Sequence, residues 1–120
     1  MNPAVVRWQI VTPQPEQSAG FYKQLFGWKV DQSNGFGYRE LVSSSDRGIN
    51  GGVWPAPAEA PSFVQLFVEV PDVDASIAAA QKLGAAIIVP KAVLPDGDEM
   101  AVLRDPTGIT FGLCLLRANR

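Results

Sequence analysis

The sequence predicts an α+β fold made of two βαβββ modules, and three observations support this prediction. Residues 5 to 12, VVRWQIVT, alternate apolar and polar side chains. Such alternation is typical of a strand buried on one face, because successive side chains point to opposite sides of a sheet. Residues 62 to 70, SFVQLFVEV, alternate in the same way. Each of these strands is followed by a helical pattern that ends at a glycine, and then by three further strand patterns.

In the first module, a helix is predicted from about residue 15 to residue 26. Pro15 suits the first helical position and Gly27 ends the pattern. WKVDQS and GYRELVSS then predict two strands joined through Asn34-Gly35, a dipeptide that favours tight hairpin turns. A short fourth strand is expected at GINGGVW. We expect the following aromatic side chains to form the core under the helix: Trp8, Tyr22, Phe26 and Trp28.

The second module begins after PAPAEAP, whose three prolines in seven residues predict a semi-stiff linker. Asp72 is expected to cap a helix that Gly84 ends. The apolar stripe predicted on this helix consists of Val73, Ile77, Ala80 and Leu83. A strand at AAIIV, a loop at PKAVLPDGD, a strand at EMAVLR, a turn at Asp105-Pro106-Thr107-Gly108 and a closing strand at ITFGLCLL complete the module.

The two halves align by position. Setting Arg7 against Gln65 places Gln14, which directly precedes the first predicted helix, against Asp72, which directly precedes the second. We therefore predict a single domain over residues 1–120, with module 1 at about 4–54, a linker at 55–61 and module 2 at about 62–117. In each half, the apolar parity of the first strand is expected to pack under its own helix. The other parity then faces the opposite side of the sheet.

Composition and charge exclude several classes of function. The net charge is −2 and the ten Lys and Arg residues are scattered, which argues against nucleic acid and acidic membrane surfaces as partners. No segment approaches the length of a membrane span, and a single cysteine allows no internal disulfide, so we expect a cytoplasmic protein. The chain has no histidine, which excludes Ser/His and Cys/His nucleophile pairs and metal sites that need a nitrogen ligand.

Three segments carry a resemblance to a known family: RWQIVTPQPEQSAGFYKQLFGW, VEVPDVDASIAAAQKLGA and LRDPTGITFGL. Together they resemble the vicinal oxygen chelate superfamily, which includes glyoxalases, bleomycin-resistance proteins and extradiol dioxygenases. The resemblance covers essentially the whole chain. It implies that the two modules form curved mixed sheets around a cup, with the helices outside. The polar parity of each first strand then lies on the wall of the cup.

Metal-dependent members of this superfamily hold a divalent ion in the cup. Carried over to this sequence, three of the ligand positions fall on Arg7, Gln65 and Gly112, and the fourth lies within residues 49–54, which contain no acid. Arg cannot donate to a metal, and such ions need several anionic or neutral oxygen and nitrogen donors. We therefore expect no metal and no cofactor.

Two charged residues on the cup wall have alternative roles. Arg7 either holds an anionic group of a ligand or forms an ion pair with Glu69 or Glu40. Glu69 either acts as a general base or binds a cationic ligand, or it serves as an ion-pair partner.

Three further features also have alternative interpretations. Cys114 is interpreted as a packed, inert thiol. Trp54 lines either the mouth of the cup or a subunit contact, while Gly51-Gly52 marks either a strand kink or bulge or a place where a ligand approaches the backbone.

Three functions remain open from sequence: a metal-free protein that binds a small organic molecule, a metal-independent acid-base enzyme acting on an anionic small molecule, and a regulatory or scaffold module with a vestigial cup. No catalytic residue is assigned, and metal-dependent lyase or dioxygenase activity is not expected. The resemblance implies a homodimer as one arrangement, with the cup closed in one chain or shared by two. The candidate ligand-binding residues are Arg7, Gln9, Trp54, Gln65, Phe67, Glu69 and Gly112.

Overall fold

The computed structural model describes residues 2–33 and 37–117 and contains two βαβββ modules, so the predicted α+β class is confirmed. The predicted turn at Asn34-Gly35 lies outside the described residues. The chain divides into two compact units, the first unit being Arg7–Gln65 and the second unit Leu66 onward together with the residues up to Val6. The elements in chain order are β1 (Ala4–Thr12), α1 (Pro15–Phe26), β2 (Lys29–Asp31), β3 (Arg39–Val42), β4 (Gly51–Pro55), β5 (Phe63–Glu69), α2 (Val73–Lys82), β6 (Ala86–Val93), β7 (Glu99–Arg104) and β8 (Thr110–Leu115).

The first unit has the strand order β2-β3-β4-β1, in which β1 and β4 are parallel and the other pairs are antiparallel. Helix α1 begins with Pro15, as predicted, and ends at Gly27, whose φ of 72° is the left-handed conformation that glycine adopts without strain. The helix packs on one face of this sheet. Its buried Ala19 contacts the core formed with Leu41 and Val53.

The predicted core under α1 is correct for Trp8, Tyr22 and Trp28, which pack against that cluster, but it is wrong for Phe26. Phe26 is 55% exposed and Leu25 is 58% exposed. The small Ala19 marks the line of closest approach between helix and sheet, so the last turn of the helix lies at the rim. There the Phe26 ring contacts the Trp28 ring, with 4.9 Å between their centroids.

The second unit has the strand order β5-β8-β7-β6. Asp72 caps α2 as predicted, because its carboxylate accepts a hydrogen bond from the Ala75 backbone N–H at 3.0 Å. Val73 and Ile77 are buried against β7 and β8, which confirms most of the predicted stripe. The prediction that Leu83 belongs to this stripe is wrong, because Leu83 follows the last helical residue as the C-cap and is 79% exposed.

The first strand of the second module is only partly covered. Val70 is buried and Val68 packs against the α2 core, as predicted. Val64 and Leu66 are 62% and 50% exposed, so the prediction that they pack under α2 is wrong. The physical reason is the position of the helix. Helix α2 starts at Val73, and its buried side chains cover only the end of β5.

Strand β6 corrects a second prediction, because the segment after Pro90 continues the strand to Val93 instead of forming a loop. The pairing of β6 with β7 shifts register on both sides of Val89, and these irregularities accommodate the proline, which lacks a backbone N–H. The turn at Asp105 is confirmed by the hydrogen bond from the Gly108 N–H to the Asp105 carbonyl. None of the helices in the described part of the chain is long and apolar enough to cross a membrane.

Candidate functional site

The first unit presents a polar face on the side of its sheet away from α1. Gln9 and Glu40 are both register partners of Gly52, so the three residues share a face. Val53, the next residue along β4, belongs instead to the core under α1. The alternation of β1 places Arg7 on the same side as Gln9. We call this surface the polar face.

An aromatic pair lies on the polar face beside Arg7. The guanidinium carbon of Arg7 is 5.9 Å from the centroid of the Tyr38 ring, within the range of a cation–π interaction. The Tyr38 ring in turn lies 4.8 Å from the Trp54 ring, centroid to centroid. No carboxylate of the described residues lies within 4.0 Å of the Arg7 guanidinium, so the alternative in which Arg7 forms an ion pair is wrong.

Tyr38 is the functional candidate that sequence reasoning missed. Its side chain is 5% exposed, and burial raises the pKa of the Tyr38 phenol to about 12, while the nearby Arg7 charge and hydrogen bonding from Gln9 and Arg7 oppose the rise. The phenol therefore stays protonated at neutral pH. The available signal was parity: in GYRELV, Tyr38 alternates with Glu40, which sequence alone suggests as an ion-pair partner of Arg7.

Two glutamines carry buried carbonyl oxygens without a hydrogen-bond partner among the described residues. Gln9 is 3% exposed and Gln65 is 6% exposed, and the Oε1 atom of each makes no hydrogen bond. Leaving such a group unsatisfied costs about 1–3 kcal/mol, and buried polar atoms are normally paired. Each of these two oxygens is therefore a buried acceptor that no donor of the described residues satisfies.

The glycine pair of β4 has a different role from the predicted kink or bulge. The register between β1 and β4 runs without a shift from Trp8 opposite Gly51 to Thr12 opposite Pro55, so the prediction of a bulge is wrong. A Cβ on Gly51 would overlap the Trp8 ring on one face, and a Cβ on Gly52 would overlap the Tyr38 ring on the other. Both glycines are therefore required because aromatic rings lie flat against the strand.

The second unit repeats this arrangement with an apolar ring. Phe67 is the register partner of Gly112, and a Cβ on Gly112 would lie well inside 3.0 Å of three Phe67 ring carbons. Phe67 is 2% exposed and forms a cluster with Val102 and Cys114. Cys114 is buried in this cluster, which matches its predicted packing. The structure thus brings Phe67 and Gly112 into direct contact.

Glu69 serves a structural role that sequence reasoning did not anticipate. Its Oε2 atom accepts a hydrogen bond from the backbone N–H of Leu116 at 3.0 Å, just beyond the end of β8. It forms no ion pair within the residues that the structure describes, so the predicted ion-pair alternative is wrong. The carboxylate fastens the chain after the last strand.

The residues at the four ligand positions do not fit a divalent ion. Arg7 brings a cation, and the space above Gly112 and Gly52 is filled by aromatic rings. Gln65 offers one neutral oxygen. In residues 2–33 and 37–117, no group of three or more His, Cys, Asp or Glu side chains could hold a metal ion.

Comparison with known proteins places this fold among relatives. A protein of Mycobacterium tuberculosis with the provisional name glyoxylase CFP32 is 28% identical over 108 residues, which are 88% of this chain and 41% of that protein. A Mycobacterium bovis protein of the same name matches equally. The chain thus spans less than half the length of the curated relatives it matches.

Solved structures share the fold at low sequence identity. A hypothetical protein of Bacillus halodurans C-125 matches with a TM-score of 0.71 and 13% identity over 100% of this chain and 99% of that one. Methylmalonyl-CoA epimerase of Streptomyces coelicolor matches with a TM-score of 0.64 and 16% identity over 95% and 97% of the two chains. The profile of the glyoxalase-like domain matches residues 5–114. The chain therefore belongs to the glyoxalase-like domain family, within the vicinal oxygen chelate superfamily.

Proposed function

We propose that the protein binds a small organic anion on the polar face of the first unit, without a metal ion. The observation that carries the proposal is Arg7. This arginine takes the position of a superfamily metal ligand, lies against the Tyr38 ring and has no carboxylate within 4.0 Å in the described part of the chain.

Metal independence is supported by the donor set. A divalent cation needs several oxygen or nitrogen donors, and a guanidinium next to it would repel it. The packing of Phe67 over Gly112 and of Tyr38 over Gly52 further supports this part of the proposal, because neither position has room for a carboxylate side chain. The metal-centred chemistry of the superfamily is therefore not proposed for this chain.

The chemistry of the polar face suggests which ligand it accepts. A guanidinium binds carboxylate or phosphate groups through two parallel hydrogen bonds. Trp54, beside Tyr38, offers a partly buried ring on which a planar group can stack. A rotation of the Gln9 side chain would expose its buried and unpaired Oε1 as an acceptor, so we propose that the ligand also carries a hydroxyl or amino group. An aromatic anion with such a donor combines all three features.

Acid-base catalysis has weaker support than binding. The Glu69 carboxylate is engaged by the Leu116 backbone, and burial raises the pKa of the Tyr38 phenol to about 12, further from neutral pH. A general base normally has a pKa near the working pH. We therefore propose binding without turnover. A reducing compartment such as the cytoplasm suits a chain whose only cysteine is a buried thiol.

The test is calorimetric titration with 4-hydroxybenzoate, benzoate and 4-hydroxybenzyl alcohol, in the presence and absence of EDTA. We expect 4-hydroxybenzoate to bind best, because it alone carries both the anion and the donor. Arg7→Gln should raise its Kd roughly 10- to 100-fold, the loss of a charged hydrogen bond of about 1.5–3 kcal/mol. The matched control is Arg47→Gln, which removes the same charge from an exposed loop position outside the polar face.

Three results would contradict the proposal. Binding that EDTA abolishes and a divalent metal restores would show that a metal ion is needed. Equal loss of affinity in Arg7→Gln and Arg47→Gln would show that Arg7 has no specific role. A complete lack of binding across the three probes would favour the scaffold alternative.

A further inference from the structure

The polar face of the first unit carries two opposite charges that do not pair with each other. Arg7 lies on β1 and Glu40 lies on β3, both on the side of the sheet away from α1. No nitrogen of Arg7 lies within 4.0 Å of the Glu40 carboxylate, and neither residue forms an ion pair with another residue in 2–33 or 37–117. Both charges are therefore free to contact a ligand.

The sheet keeps these two charges apart. Glu40 is the register partner of Gly52, and β4 lies between β3 and β1 in the strand order. Neighbouring strands are about 4.8 Å apart, so β3 and β1 are separated by roughly 9–10 Å. Part of the surface between them is covered by the Tyr38 ring, which lies over Gly52 and contacts the Trp54 ring.

The Tyr38 ring lies close to both charges. The Arg7 guanidinium carbon is 5.9 Å from the centroid of this ring. Burial is the main cause that raises the pKa of the Tyr38 phenol to about 12, while the Arg7 charge opposes the rise and the Glu40 charge adds to it. The polar face thus has a positive end at Arg7 and a negative end at Glu40, with an aromatic surface between them.

The negative end contains a second carboxylate. Asp31 on β2 is the register partner of Glu40, and like charges directly opposite each other on paired strands are destabilising. The Asp31 carboxylate accepts hydrogen bonds from the Ser33 backbone N–H at 2.9 Å and from the Ser33 hydroxyl at 2.6 Å. Lys29, two residues before Asp31, lies within 4.0 Å of neither carboxylate. A cationic group bound at Glu40 would offset this repulsion.

We propose that the ligand of the polar face is a zwitterion, whose anionic group binds Arg7 and whose ammonium group binds Glu40. This inference rests on the anion site proposed above and adds Glu40 as the residue that selects a charged amine over a hydroxyl group. The two charges of the ligand must be about one aromatic ring apart, because β1 and β3 are not adjacent. An α-amino acid head group carries both charges on one carbon and is too short to bridge these strands.

An aromatic acid with an aminomethyl substituent has the required length. Its ring can stack on Trp54, and its ammonium group has three hydrogen-bond donors. One donor is sufficient for Glu40. Another can reach Gln9, which shares the register partner Gly52 with Glu40 and whose Oε1 lacks a hydrogen bond among the described residues.

The test compares two probes of the same shape by calorimetric titration of the full chain near neutral pH. 4-(Aminomethyl)benzoate carries an ammonium group where 4-(hydroxymethyl)benzoate carries a hydroxyl group. We expect the Kd of the aminomethyl compound to be about 5- to 20-fold lower, because a charge-assisted hydrogen bond is roughly twice as strong as a neutral one.

Three variants assign this preference to Glu40. Glu40→Gln should reduce the ratio of the two Kd values to about 2 or less, because the amide keeps a hydrogen-bond acceptor but loses the negative charge. Arg7→Gln should weaken the binding of both probes to a similar extent. The matched control is Glu16→Gln on α1, where Glu16 lies 3.4 Å from Arg39 on the other side of the sheet, and it should leave both Kd values unchanged.

The outcomes separate this inference from the anion site on which it rests. Equal Kd values for the two probes, with both weakened by Arg7→Gln, would overturn the zwitterion and leave the anion site standing. A preference that Glu40→Gln leaves intact, or that Glu16→Gln removes equally, would also overturn it. Lack of binding by both probes, or no effect of Arg7→Gln on either, would overturn the anion site and this inference together. The wild-type comparison decides if Glu40→Gln fails to fold.

Discussion

Replacing Gly112 by alanine tests whether the Phe67 ring fills the space above β8. The added Cβ would lie well inside 3.0 Å of three ring carbons, whereas carbon atoms in contact prefer about 3.5–4.0 Å. The ring must therefore move by roughly 1 Å to restore normal contact. Phe67 is 2% exposed and is packed against Val102 and Cys114, so it has no free volume to enter. Such overpacking costs about 1–3 kcal/mol.

Part of this cost is offset because alanine loses less backbone entropy than glycine on folding, by about 0.5–1 kcal/mol. We therefore expect Gly112→Ala to lower the free energy of unfolding by about 1–2 kcal/mol. For a chain of this length, that corresponds to a fall in Tm of roughly 4–10 °C. The measurement is urea unfolding followed by tryptophan fluorescence, with thermal unfolding as a second readout.

Two further variants make the test specific. Gly20→Ala is the matched control, because a Cβ at Gly20 meets nothing within 4 Å in the middle of α1 and should be neutral or stabilising. Phe67→Leu, which shortens the side chain, should rescue Gly112→Ala, so that the double variant is more stable than additivity predicts by about 0.5–3 kcal/mol. Wild-type stability in Gly112→Ala, or strict additivity in the double variant, would refute the reasoning.

Three other perturbations address single groups. Burial raises the pKa of Tyr38 from 10.0 to about 12, so the folded state keeps the phenol proton to a higher pH than the unfolded chain does. About 2–3 kcal/mol of folding stability that is present below pH 10 should therefore be lost as the pH rises to 12. Urea titrations at alkaline pH should show a flatter decline in Tyr38→Phe, and an unchanged slope would contradict this. Asp72→Ala should destabilise the protein by about 1 kcal/mol through loss of the α2 cap, while Asp72→Asn keeps most of the stability; equal denaturation midpoints for wild type and Asp72→Ala would argue against the cap. Glu69→Ala should cost about 1.5–3 kcal/mol and speed hydrogen exchange at the Leu116 amide, whereas Glu69→Gln can still accept that hydrogen bond; unchanged exchange in Glu69→Ala would exclude the contact.

Most of the elements could be predicted because their signals are local. Pro15 and Gly27 define the ends of α1 through backbone geometry that needs no tertiary context, and Asp72 does so for the start of α2. Features that depend on how far a helix extends over its sheet were not predicted. The exposure of Val64 and Leu66 follows from where α2 begins relative to β5, and this is a three-dimensional relation that alternation does not contain.

The candidate site was predicted in part for the same reason. Strand parity was sufficient to place Arg7 and Gln9 on the face away from α1. It was not sufficient to identify their surroundings, because the contact of Tyr38 with Gly52 depends on how β3 and β4 are brought together. The metal-ligand positions came from family resemblance, and only the packing at Gly112 shows why a side chain has no room there.

The glycine pair of β4 has a consequence for protein engineering. Gly51 and Gly52 lie in adjacent positions under rings on opposite faces of the strand, Trp8 on one side and Tyr38 on the other. A carboxylate introduced at either position would require a compensating change in the corresponding ring. An attempt to build a metal site into this strand therefore needs at least two coordinated substitutions, and a search through single variants would miss it.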